Sequence, residues 1–93
     1  MTYTVKLTLA AETDLLRMAK FLADYGAEVA RRGTTALWTG FASLSEMPRR
    51  FPVVRNSLRE LYIRFGDSGY VVQYSVDANV VVIARIFHMR EAR

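Results

Sequence analysis

The sequence predicts an α+β fold of order β-α-α-β-β-β, a helical hairpin packed on an antiparallel sheet. Three observations predict it. Residues 3–9, 58–65 and 70–76 alternate side chains with the period of strands. Residues 9–45 carry two apolar stripes at helical spacing, divided by Tyr25-Gly26. Two short turns cut 58–88 into three strands, which makes that third a meander. At 93 residues, the sequence is assigned to one domain, 1–93.

In the first strand, Tyr3, Val5, Leu7 and Leu9 alternate with Thr4, Lys6 and Thr8. Thr8 can cap the first helix, with Glu12 and Asp14 favourable near its positive end. That helix is expected from Leu9 to about Asp24, its stripe running through Leu15, Met18, Ala19 and Leu22, with Leu16 and Ala23 beside it. The second is expected from Ala27 to Ser45 on Ala30, Leu37, Phe41 and Leu44. Gly33, Thr34, Thr35, Thr39 and Gly40 are poor helix formers, so packing must hold it. The short joint between the two makes an αα-hairpin.

Residues 46–57 read as a linker, ended and extended by Pro48 and Pro52 and pinned to the core by Phe51 and Val53 or Val54. Three strands follow: Leu58–Phe65, Tyr70–Val76 and Val80–His88. Gly66-Asp67-Ser68-Gly69 and Asp77-Ala78-Asn79 are the turns. The run Val80-Val81-Val82-Ile83 lacks polar alternation and predicts a central strand buried on both faces. A short polar tail, Met89–Arg93, closes the chain.

Composition excludes several classes. With 52% hydrophobic and 24% charged residues, the chain is globular. It has no cysteine and one histidine, which leaves no disulfide, thiol nucleophile, zinc–thiolate or multi-histidine site; no metal and no cofactor are expected. No apolar run is long enough for a membrane span, and Met1–Lys6 does not read as a signal peptide, so the expected compartment is cytoplasmic. The net charge of +4 is lopsided: residues 1–46 are neutral, and 47–93 carry the whole excess, every cation there being arginine. Arginine's planar fork suits carboxylates and phosphates.

The element order, together with the Thr8–Leu15 helix entry, the Met47-Pro48-Arg49-Arg50-Phe51-Pro52 linker, the Leu58-Arg59-Glu60-Leu61 strand start, the Tyr70-Val71-Val72-Gln73-Tyr74 strand and the Val82–Arg90 ending, resembles the RelE/ParE superfamily of bacterial type II toxins across essentially the whole chain. The resemblance implies a toxin of a toxin–antitoxin (plasmid stabilisation) system, neutralised by a cognate antitoxin with an acidic C-terminal segment. It also implies one of two mechanisms. RelE-like members are ribosome-dependent mRNA interferases; ParE-like members inhibit DNA gyrase by protein–protein contact.

Metal-free RNA cleavage needs a base for the 2′-hydroxyl, a cation for phosphorane charge and an acid for the leaving oxygen. If the chain is a nuclease, Arg59, Arg64, Arg85 and His88 are the candidates, with Glu60 as a possible base. No tyrosine follows Tyr74, and the lysine-rich patch and basic helical tail of RelE-like members are missing. The set is incomplete for an enzyme, and the His88-Met89-Arg90 ending looks closer to the ParE branch, although one residue shorter than its pattern. The leading expectation is therefore a gyrase inhibitor that touches its partners through Arg59, Arg64, Arg85, His88, Arg90 and Trp38. A ribosome-dependent endoribonuclease acting on mRNA is the alternative, and a non-toxic regulator derived from such a toxin is a third reading. Each residue also has a structural reading: Arg85 on a face with Val81, Ile83 and Phe87 bridging a carboxylate or carbonyl, His88 hydrogen-bonded at a strand end, Trp38, Tyr70 and Tyr74 in the core, and Arg49 and Arg50 solvated.

Overall fold

The computed structural model describes residues 2–91. β1 (Thr4–Leu7) leads into α1 (Leu9–Ala23) and α2 (Ala27–Ser43). A 3-10 turn (Pro48–Arg50) and β2 (Val53–Arg55) follow, then β3 (Leu58–Phe65), β4 (Ser68–Asp77) and β5 (Val80–His88). The α+β class and the helical hairpin hold. The hairpin covers one face of a five-stranded sheet ordered β1-β5-β4-β3-β2. Its Met18, Leu22, Leu37 and Phe41 share a core with Leu61 and Ile63 of β3, Tyr70, Val72 and Tyr74 of β4, and Val81, Ile83 and Ile86 of β5.

Several expectations need correction. The sheet is mixed, because β1 pairs parallel with β5. The two strands are separated by the whole helical pair and the meander, long enough a connection for a parallel pair. The expected linker contains a strand, β2, paired antiparallel with β3 across Asn56-Ser57. Its Val53 and Val54 are exposed, so Pro48, which is buried, and Phe51 hold this segment to the core. The strand buried on both faces is β4, from Gly69 through Tyr74; in β5, Val80 and Val82 are only partly buried. The turns are tighter than expected: Phe65 pairs with Ser68 and Asp77 with Val80, leaving Gly66-Asp67 and Ala78-Asn79 as two-residue turns. Gly66 and Ala78 adopt φ of 63° and 53°, the left-handed geometry that such hairpins require. Residues 92 and 93 of the expected tail lie outside the described residues.

Thr8 does cap α1. Its hydroxyl oxygen accepts from the Ala11 N–H at 3.1 Å and donates to the Ala84 carbonyl at 2.8 Å, tying helix start to β5. The buried stripe of α1 is Ala11, Asp14, Met18 and Leu22. Leu15 is partly buried at its margin, and Leu16 turns outward. In α2, Gly33 and Gly40 earn their place by proximity: a Cβ on Gly33 would collide with Leu22, and one on Gly40 with Ile63. Their poor helix propensity is offset by the close approach of α2 to α1 and β3.

The C-terminal end of α2 has no basic residue of its own in the last turn. Arg50 supplies the charge from the following 3-10 turn. Its Nη1 donates to the carbonyls of Ser43 (3.3 Å), Glu46 (2.8 Å) and Met47 (3.2 Å), satisfying groups that a helix end leaves open.

Candidate functional site

Two surfaces organise the expected site residues. One is the side of β5 that β1 does not reach. The other is a groove between the start of α1 and the second half of α2.

β1 ends opposite Ile83, and Thr8 takes the Ile83 carbonyl through its N–H at 3.0 Å. Beyond that point no strand among the described residues lies beside the outer edge of β5, and such a row of backbone groups must be paired or hydrated. Side chains take over. The Ala84 carbonyl receives the Thr8 hydroxyl, the Ile86 N–H donates to Asp14 Oδ2 at 2.9 Å, and the His88 N–H donates to Glu91 Oε1 at 2.9 Å.

Asp14 is buried, 3% exposed, and is held by more than Ile86. Arg85 clamps it through both fork nitrogens, Nε to Oδ2 at 2.7 Å and Nη2 to Oδ1 at 3.1 Å, with Arg17 at 3.5 Å. Burial alone would raise the carboxyl's pKa. The Arg85 and Ile86 hydrogen bonds and the Arg85 and Arg17 charges outweigh it and hold Asp14 below the ordinary carboxylate value. Arg85 therefore bridges a carboxylate, as its structural reading expects, but it does not share a face with Val81 and Ile83. A bulge inserts Ala84, so Gln73 opposes Arg85 while Tyr74 opposes Ile83. Arg85 lies with Phe87, whose ring centroid is 4.9 Å from the guanidinium carbon.

The other arginines are dispersed. Arg59 donates to the Arg49 carbonyl at 3.2 Å and to the Phe51 carbonyl, fastening the 3-10 turn to β3. Arg49 and Arg50 are not simply solvated: Arg49 bonds the Tyr3 hydroxyl at 3.0 Å, and Arg50 caps α2. Arg64 is exposed on β3. Tyr70 and Tyr74 are in the core as expected, and the Tyr74 hydroxyl donates to the Pro48 carbonyl at 2.6 Å. On the sheet face away from the helices, Glu60 accepts from the Tyr62 hydroxyl at 2.6 Å and from Gln73 Nε2 at 3.0 Å.

Of the expected group, only His88 and Arg90 stand together. His88 meets the Tyr70 ring edge-on at 5.9 Å, and its Nδ1 accepts from the Arg90 N–H at 3.2 Å. Glu91 folds back to Arg17, which donates to both its oxygens at 3.0 and 3.1 Å. Burial would raise the Glu91 carboxyl, but the His88 N–H and Arg17 lower it further.

Trp38 belongs to the second surface. It is 50% exposed, against the core reading, and packs edge-on to Phe41 at 5.2 Å. With Leu7, Leu15, Leu16 and Glu12 it lines an open groove of about 410 Å³. Leu16, which the spacing sets beside the apolar stripe of α1, is 68% exposed and forms part of this groove wall. Asp14, Leu7 and Leu16 are the residues that sequence reasoning missed. Asp14 had a signal: it falls at helical spacing between Ala11 and Met18, where a carboxylate must find a partner.

The fold is a helical hairpin laid on a mixed five-stranded sheet, and the family match over residues 5–93 makes the chain a RelE/ParE-type toxin of a type II toxin–antitoxin system. The chain belongs to the ParE toxin family: the model of the ParE toxin of type II toxin-antitoxin system, parDE, matches residues 5–93. Two curated relatives come from Caulobacter vibrioides. Toxin RelE1 is 34% identical over 93 residues that span both chains completely. Toxin RelE3 is 36% identical, covering 97% of this chain and 98% of its own. Among solved structures, the chromosomal ParDE toxin–antitoxin system of P. aeruginosa has a TM-score of 0.82 at 17% identity, covering 96% of this chain and 98% of that one, which shows the fold. The toxin-antitoxin complex RelBE2 from Mycobacterium tuberculosis has a TM-score of 0.60 at 26% identity, covering 98% of this chain and 95% of that one.

Proposed function

We propose that this toxin is ParE-like, inhibits DNA gyrase by protein–protein contact in the cytoplasm, and is neutralised by a cognate antitoxin with an acidic C-terminal segment. The observation that carries the reading is the state of the four nuclease candidates. Arg85 is committed to Asp14 and Arg59 to main-chain carbonyls, Arg64 stands apart, and His88 has Nδ1 occupied. Phosphoryl-transfer chemistry needs such groups converged on one phosphate, whereas contact with a protein surface does not. The solved neighbours described above are toxin–antitoxin assemblies, which supports an antitoxin partner here. The Trp38–Leu16 groove offers that antitoxin an apolar seat, and the exposed arginines offer its carboxylates bidentate partners. A supercoiling assay with gyrase and purified toxin tests the mechanism. Supercoiling is expected to stop, and undiminished activity at stoichiometric excess of toxin would overturn the reading.

One set of observations favours a second reading, ribosome-dependent mRNA cleavage. The Caulobacter relatives are named RelE toxins, and the Tyr62–Glu60–Gln73 network places a carboxylate on the sheet face away from the helices. This reading expects codon-phased cleavage in a translating extract that His88→Ala abolishes; intact messages eliminate it. Expression without growth arrest, but with antitoxin binding retained, would instead mark a non-toxic regulator.

A further inference from the structure

We propose that the cavity where the closed end of the helical hairpin meets the β3–β4 turn binds an extended protein segment in which a large apolar side chain stands beside a carboxylate. The site is two adjoining hollows of about 290 and 320 Å³ that share Phe21, His88 and Arg90. They are separate from the Trp38 groove, with which they have no lining residue in common.

The chemistry of the walls specifies the occupant. Leu22 and Val29 of the hairpin and Phe65 and Tyr70 of the sheet make one side apolar. At the mouth, Phe21 and Tyr25 form a tilted ring pair 5.5 Å apart, 53% and 64% exposed, so that large apolar area faces water. Size and lining suit a bulky hydrophobic side chain. The polar groups at the shared boundary are donors. Because His88 Nδ1 accepts the Arg90 N–H, the proton of the neutral ring is on Nε2. Arg90 is exposed and lines both hollows. The neighbouring carboxylate, Glu91, is already held by Arg17 and by the His88 N–H. Donors next to an apolar cup call for an acceptor attached to a hydrophobic group. Asp67, which also lines the first hollow, counts against a polyphosphate, whose charge it would repel, and leaves a singly charged carboxylate as the better fit.

This inference rests on the reading of the chain as a protein that acts by contact, but its readout is independent of gyrase. The chain has one histidine and one tryptophan, one in each hollow region, so their ring resonances report the two surfaces separately. The test titrates the whole folded chain with the blocked peptide acetyl-Ser-Phe-Asp-Phe-Asp-Ser-amide. The His88 ring signals are expected to move and saturate while the Trp38 indole signal stays still. Replacing both Asp by Asn, or both Phe by Ala, is expected to weaken binding about tenfold, the difference of a single well-made contact. Arg90→Ala, an exposed change, is expected to cost the Phe-Asp peptide a similar factor and the Phe-Asn peptide little. An unmoved His88 at millimolar peptide, equal affinity for the Asn peptide, or stronger binding by AMP than by peptide would each overturn the proposal. Saturating peptide binding with untouched supercoiling would leave this site standing and remove the gyrase reading; the converse result would remove only this site.

Discussion

Arg85 grips Asp14 through both ends of its fork, at 2.7 and 3.1 Å, and the same carboxylate takes the Ile86 N–H at 2.9 Å. One buried acid thus closes the open edge of β5 and anchors α1 to it. An arginine that sequence alone offers to a substrate is used to assemble the fold.

This pair makes stability depend on pH in a defined direction. The Asp14 and Glu91 carboxyls sit lower in the folded chain than their ordinary values of 3.8 and 4.5. Each contributes stability that is present above its unfolded value and lost as pH falls through its folded one. The urea midpoint is expected to fall with acidification below about pH 4, with a shallower fall in Asp14→Asn and the shallowest in Asp14→Asn with Glu91→Gln. At neutral pH Asp14→Ala, which strands the Ile86 N–H, is expected to cost about 2 to 3 kcal/mol. Urea titrations across pH check both statements.

Tyr74→Phe is expected to cost about 1 to 2 kcal/mol, because it leaves the buried Pro48 carbonyl without its 2.6 Å donor while the ring still fills the core. An unchanged denaturant slope with a lowered midpoint is the expected signature. The loss is expected to be local as well: hydrogen exchange should quicken in the 3-10 turn Pro48–Arg50.

Ala78→Gly is expected to stabilise. Ala78 sits at φ 53° in the two-residue β4–β5 turn, a left-handed geometry that its methyl group opposes. Glycine removes that strain, at some cost in unfolded-chain entropy, for a net gain of about 0.5 kcal/mol. A thermal melt at fixed pH reads the result.

The sequence made the meander and hairpin legible because alternation and helical spacing are local signals. Arg59, Leu61, Ile63 and Phe65 against Glu60, Tyr62 and Arg64 set the register of β3 without tertiary information. β2 was hidden because three residues after a proline carry too little pattern, and its exposed valines imitate a linker. The parallel seat of β1 was hidden because alternation states that a strand exists and not which neighbour it takes. Alternation alone misplaces the β5 face, because one inserted residue, Ala84, exchanges the two faces for every position beyond it. The candidate site was legible only as residue types. Which arginines are spent depends on carbonyls and carboxylates brought close by folding, such as Asp14, which is 71 positions from Arg85.

Trp38 tests where the antitoxin seats. Half exposed and packed edge-on to Phe41, it lies outside the buried core and lines the groove with Leu7, Leu15 and Leu16. An aromatic anchor in such a groove is where binding energy concentrates, and truncation of one typically costs about 2 kcal/mol or more, some thirtyfold in affinity. Trp38→Ala is therefore expected to weaken antitoxin binding by about that factor in calorimetry, with the melting temperature of the free toxin nearly unchanged. Arg90→Ala, at the far cavity, removes one of the exposed arginines proposed to pair with antitoxin carboxylates and is expected to cost less, because an exposed ion pair is worth under about 1 kcal/mol. Equal losses from the two substitutions would show the antitoxin spanning both surfaces, and no loss from Trp38→Ala would take the antitoxin off the helical groove altogether.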